Sequence, residues 1–173
     1  GLSKRELEDV IDNDDFSKYG NVLTNFSSQL STSQSLLAMN VLKDPYRLDF
    51  VTLERGYDEH DLESAIAKDI TRFLLELGSG FTYVGRQPEF VVGNEGYFPD
   101  LLFYHIRLRC YVVIELKVVD FKPEFAGKLN FYVTACNKLL RQPEDNPTIG
   151  LLLCKSKDQT KVEWAFDSIQ NPM

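Results

Sequence analysis

Residues 98–118 read FPDLLFYHIRLRCYVVIELKV, two apolar runs joined by a short basic turn. The second run restricts the fold more than any other part of the chain. On an extended strand Val112, Ile114, Leu116 and Val118 fall on one side, while Tyr111, Val113 and Val119 share the other with Glu115 and Lys117. A strand apolar on both sides has to be covered on both, so it lies inside a sheet between two further layers.

The charged residues at the ends of these runs then need a reason. If DLLFYHI and CYVVIELKV pair as a hairpin centred between Arg107 and Leu108, Asp100 falls opposite Glu115, and Lys117 shares its face. The turn lacks Gly and Asn, which favours a four-residue type I connection over a two-residue one, and a slip of one residue would separate the acids. Two readings stay open. One is a surface cross-strand salt bridge worth well under about 1 kcal/mol. The other is a cleft for a divalent cation, because an uncompensated buried charge costs several kcal/mol and a covered strand does not carry one idly. Asp100, Glu115 and the backbone carbonyl of Leu116 are hard oxygen ligands that suit Mg²⁺. An ammonium beside them, that of Lys117, positions a water and stabilises added negative charge, which is the chemistry of hydrolysis. A glycosidase reading fails, because carboxylates on directly paired strands stand too close to flank a sugar ring.

Around this hairpin the chain reads as follows. Ser3 and Glu6 have capping-box spacing, so residues 3 to 12 are a predicted short helix. From Phe16 to Asn40 the sequence is rich in Ser, Thr, Asn and Gln without a sustained period, the pattern of a linker or extended arm. KDPYRLDFVTL is expected to lie against the domain without forming a long helix. Leu62, Ala65, Ile66, Ile70, Phe73, Leu74 and Leu77 recur at steps of three and four and end at Gly78, predicting one helix of about five turns. FTYVGRQ, PEFVVG, DLLFYHI and CYVVIELKV are predicted strands. Pro123 opens a second helix, and TIGLLLC and KVEWAF are two further predicted strands. The expected class is α/β (α+β), a mixed central sheet flanked by helices in the order αβββαββ. Residues 1–57 would be the tail of an upstream helical domain plus a linker or arm, and residues 58–173 the domain proper.

Composition narrows the chemistry. The 173 residues are 43% hydrophobic, enough for one packed domain with an appended segment. Cys110, Cys136 and Cys154 are scattered in apolar stretches and read as reduced core thiols. Only His60 and His105 are present, too few for a histidine metal cage, so carboxylates and lysines must carry any catalysis. No membrane-length apolar run or signal-peptide layout occurs, which predicts a soluble, cytoplasmic protein. The net charge of −7 argues against nonspecific attraction to nucleic acid unless positive charge is segregated.

Pro99-Asp100 followed by Glu115-Leu116-Lys117 resembles the PD-(D/E)XK nuclease superfamily, whose restriction-endonuclease-like members cleave phosphodiesters with Mg²⁺ or Mn²⁺. From Asp61 to Lys155, LESAIAKDITRFLLELGSGFTYVGRQ, FPDLLFYHIRLRCYVVIELKV, FAGKLNFYV and NPTIGLLLC are similar to the bacterial YhcG-like family of that superfamily. KDPYRLDF and SKRELE resemble what precedes its nuclease domain. The resemblance implies Asp100 and Glu115 as metal ligands with the Leu116 carbonyl, and Lys117 as the catalytic lysine. Glu63 stands where an additional acid reaches the metal or its water; a solvated first-turn Glu is the other reading. Lys128 and Tyr132 resemble the Gln-xxx-Tyr of nuclease relatives, with Lys for Gln, and core packing is the other reading of Tyr132. Arg86 and Gln87 are either phosphate or base contacts or solvated residues. Lys138, Arg141, Lys155 and Lys157 are candidate outer phosphate contacts. The implied partner is DNA, beside the upstream helical domain, with a homo-oligomer left open. A fold of this kind retained for DNA binding or complex assembly, with weak or no cleavage, is the alternative function.

Overall fold

The computed structural model of the protein describes residues 23–42 and 56–173. The predicted helix at 3–12 and the segment KDPYRLDFVTL lie outside the described residues.

The central hairpin folds in the expected register. β4 (Leu101–His105) and β5 (Cys110–Leu116) pair antiparallel, with Leu101 opposite Ile114 and His105 opposite Cys110. A four-residue turn, Ile106 to Arg109, connects them; Arg109 takes φ 51° and the Leu108 N–H donates to His105 Nδ1 at 3.1 Å. β1 (Phe81–Arg86) adds antiparallel to β4, and β6 (Ile149–Leu153) adds parallel to β5, giving the order β1-β4-β5-β6. The parallel pair needs a crossover, which helix α5 (Pro123–Leu139) supplies from its Pro123 start. PEFVVG does form a strand, β2 (Phe90–Val92), but it pairs with the unanticipated β3 (Glu95–Tyr97) in a separate hairpin.

Alternation then builds two cores. Leu101, Phe103, Val112, Ile114 and Leu116 face helices α3 (Glu59–Lys68) and α4 (Ile70–Leu77). Leu102 and Val113 face the other way, onto Ala126, Leu129, Tyr132, Val133 and Cys136 of α5. The sheet is therefore sandwiched, as its doubly apolar strand required. Cys110 and Cys136 are buried thiols and Cys154 a half-buried one, none in a disulfide.

Three helical regions also differ from expectation. The described part of the polar segment is helical, as α1 (Phe26–Gln29) and α2 (Thr32–Val41). Ser31 caps α2, accepting the Gln34 N–H at 3.3 Å, and Leu36, Ala38 and Leu42 are buried. The five-turn helix is broken between α3 and α4 at Asp69, a weak helix former whose ψ of 51° departs from the helix and whose carboxylate bridges to Arg72 at 3.4 Å. KVEWAF is not a strand but part of helix α6 (Gln159–Phe166). Asp158 caps it by accepting the Lys161 N–H at 2.9 Å, and Gln159 bonds Glu163 one turn on at 2.8 Å. No helix among the described residues is long and apolar enough to cross a membrane.

Candidate active site

The register of the central hairpin places Asp100 and Glu115 as the next pair beyond Leu101 and Ile114. They are locked reciprocally. The Asp100 N–H donates to Glu115 Oε1 at 2.9 Å, and the Leu116 N–H donates to Asp100 Oδ2 at 2.8 Å. Asp100 Oδ1 and Glu115 Oε2 stay outside these two backbone bonds. By alternation both side chains share the α5 face of the sheet with Leu102 and Val113.

Glu115 is 2% exposed, so this is no surface salt bridge. Burial first, then the charge of Asp100, pushes its carboxyl up to about 7, against the opposing pull of Lys128 and Lys117. Burial likewise pushes Asp100 up to about 6; the Leu116 N–H offsets part of this, and the neighbouring Glu63 carboxylate adds to it. Two acids that hold protons so far above their ordinary range are short of positive charge.

Glu63, also 2% exposed, reaches this cluster from α3, so it is not a solvated first-turn residue. It accepts from Arg86 Nε in an ion pair and from Gln87 Nε2 at 3.0 Å. Arg86 also donates to Ser64 Oγ at 3.0 Å. Gln87 sits at φ 45°, a left-handed conformation rare for a residue other than glycine, and its N–H donates to the Asp100 carbonyl at 2.9 Å. One strained residue thus ties the backbone of Asp100 to the side chain of Glu63.

The lysines stand on the other flank. Lys117 lies with Nζ 5.0 Å from the centre of the Phe125 ring, and its N–H donates to the Leu153 carbonyl at 2.8 Å. Lys128 Nζ is 4.0 Å from Glu115 Oε2 and 5.6 Å from the centre of the Tyr132 ring. Tyr132 is buried in the α5 core, and burial raises its phenol above the usual range. Its ring packs in the core while Lys128 lies over it, so core packing and a place next to the site are not exclusive for Tyr132.

Arg141 is not brought to this cluster. It donates to the Asp145 carbonyl at 3.1 Å, beside Tyr104 and Arg109 at the turn end of the sheet. Lys138, in the last turn of α5, belongs to the same end. Ser64 and Phe125 were not anticipated. Phe125 could have been found as the first-turn residue of the helix that Pro123 opens directly after β5.

No three His, Cys, Asp or Glu side chains among the described residues form a ready-made metal cage. The donor set still fits a hard cation: two hydrogen-bonded carboxylates with one oxygen each outside the backbone bonds, and too little positive charge around them.

Residues 39–173 match the family described as the YhcG PDDEXK nuclease domain. The chain is 36% identical over 136 residues to “Putative nuclease YhcG” of Escherichia coli (strain K12), an alignment covering 79% of this chain and 36% of that protein. The chain thus spans little more than a third of the relative it matches. Among solved structures, a repair endonuclease from Pyrococcus abyssi superposes with a TM-score of 0.43 at 15% identity, over 67% of this chain and 45% of that one. With its match across most of its length and the paired Asp100 and Glu115 at its sheet, the chain belongs to the YhcG PDDEXK nuclease domain family.

Proposed function

We propose that this domain hydrolyses phosphodiester bonds of DNA with Mg²⁺ or Mn²⁺ held by Asp100, Glu115 and the Leu116 carbonyl. The observation that carries the reading is the reciprocal lock of Asp100 and Glu115, which holds two buried carboxylates face to face at an electrostatic cost that a divalent cation removes. When bound, the cation polarises a phosphate oxygen and acidifies water. The protein does the rest. Asp100 and Glu115 are fixed by main-chain donors, so their second oxygens need little reorganisation at the moment of reaction. Lys117 sets an ammonium beside the phosphate and stabilises the charge added on attack. Glu63, steered by Arg86 and Gln87, is the third acid and orients the attacking water. Lys128 contacts a non-bridging phosphate oxygen from α5.

The test is cleavage of supercoiled, linear, single-stranded and branched DNA in Mg²⁺, Mn²⁺ or EDTA. Cleavage should require the metal, and Asp100→Ala, Glu115→Ala and Lys117→Ala should each reduce it by about a hundredfold or more. Cleavage that survives EDTA, or that all three variants retain, removes the catalytic assignment.

A further inference from the structure

We propose that the DNA strand entering this site is unpaired, with bases stacked on the exposed ring of Phe131 and on the half-buried Tyr97 that it packs against; the inference rests on the nuclease reading above.

Three observations lead there. First, a line of aromatic rings leaves the site. Lys128 Nζ lies between Glu115 Oε2 and the Tyr132 ring; Tyr132 stands 6.4 Å from Phe131, and Phe131 stands 4.8 Å from Tyr97, each pair tilted. Phe131 is 38% exposed and lies outside both buried clusters, at the edge of the one that holds Tyr132. Second, the β2–β3 hairpin holds this line in place. Phe90, opposite Tyr97 in the pairing, is buried against α5, which fixes Tyr97 over Phe131. On the opposite face of the hairpin Phe98 lies against Gly96, where an added Cβ would come within 3.2 Å of its ring, and it remains 48% exposed two residues before Asp100. Third, the site holds few cations for phosphate: Arg86 is held by Glu63, which leaves Lys117 and Lys128.

These features discriminate between substrates. A duplex offers its phosphates and hides its base faces, so the grip on it comes mainly from cations that neutralise phosphates. A chain of net charge −7 with two lysines left at its site is poorly supplied for that. An unpaired strand offers base faces as well, and stacking on an aromatic ring is worth about 1–3 kcal/mol per base whatever the sequence. An exposed ring in the line that starts at Lys128 therefore favours a single strand, a frayed end or a flap.

The experiment is fluorescence anisotropy with one labelled DNA oligonucleotide, free and annealed to its complement, plus the matching RNA strand, in Ca²⁺ and in EDTA. The single DNA strand should bind at least about tenfold tighter than the duplex. Phe131→Ala should lower single-strand affinity by about five- to a hundredfold and leave the duplex unchanged. Phe131→Leu keeps an apolar side chain on Tyr97 but removes the π face, and should show most of the same loss; Phe131→Tyr should bind as the wild type does. Equal or tighter duplex binding, tighter RNA binding, or a Phe131→Leu variant that binds as well as the wild type overturns the proposal. Metal-dependent cleavage of duplex DNA alongside any of these leaves the nuclease reading standing, whereas a protein that binds and cleaves no nucleic acid loses both.

Discussion

Asp100 carries one job in two parts: its backbone joins Gln87 and Glu115, and its carboxylate takes the Leu116 N–H. Replacing it with Asn keeps an acceptor for that N–H and removes the charge that presses on Glu115. In EDTA Asp100→Asn should therefore melt higher than the wild type, by roughly 2–4 °C for each kcal/mol of repulsion relieved, while losing activity. Differential scanning fluorimetry reads this directly, and a lower melting temperature would mean that the carboxylate is a net structural asset. The juxtaposition itself was legible in the sequence, because two residues equally distant from a hairpin centre must face each other once the turn is four residues long. The restraint on Glu63 was not. It depends on β1 ending beside α3 so that Arg86 and Gln87 can turn onto a helix more than twenty positions earlier, and no local pattern encodes that contact. Gln87 in particular gives no warning, since its left-handed backbone is imposed by the structure around it.

Among the elements, α5 links the sheet to the site. It presses Leu129 and Val133 onto β6 at Gly150, where an added Cβ would come within 2.9 Å of Leu129 Cγ and 3.0 Å of Val133 Cγ2. Gly150→Ala should consequently lift α5 from the sheet at a cost of about 1–3 kcal/mol, and Lys128, one residue before Leu129, should move away from Glu115. Urea titration should show the lower midpoint, with activity falling further than stability alone explains; a midpoint within error of the wild type would mean that the helix packs more loosely than these distances require. Elements with a clean period were readable: β4 and β5 by alternation, α5 by its apolar stripe and its Pro. α2 was not, because Leu36 and Ala38 are buried while Leu37, Met39 and Val41 also pack against the core, so contacts on several sides erase the stripe. α6 misled through its β-prone residues. Only Val162 among them is buried, and Trp164 is 78% exposed; the Asp158 cap was the signal that outweighed them.

For the molecule as a whole, the site should make stability depend on pH and metal together. Asp100 and Glu115 have folded-state values of about 6 and about 7, above their ordinary 3.8 and 4.5. Between about pH 4 and pH 7 the native protein thus keeps protons that the unfolded chain has released. The stability they contribute is full at the acid end of that window and is lost as pH rises through the two folded values. His105 acts with the opposite sign. Burial lowers it from 6.5, so the unfolded chain takes up a proton below about pH 6.5 that the native state refuses, and stability is lost as pH falls toward its folded value. A single melting profile mixes these slopes. The difference between melts with and without Mg²⁺ or Mn²⁺ separates them, because His105 lies at the turn end of the hairpin and contributes equally to both. A cation binds the carboxylates only after their protons leave, so its stabilisation should be near zero at about pH 5, rise through the interval around 6 and 7, and level off by about pH 8. There, at ten times its dissociation constant, it should reach roughly 1.4 kcal/mol. In Asp100→Asn the rise should shrink to a single step lying below 7, since only Glu115 remains to titrate and the charge that helped raise it is gone. A metal-induced shift that is flat across this range, or equal in wild type and Asp100→Asn, would place the cation elsewhere and leave the buried pair as part of the scaffold alone.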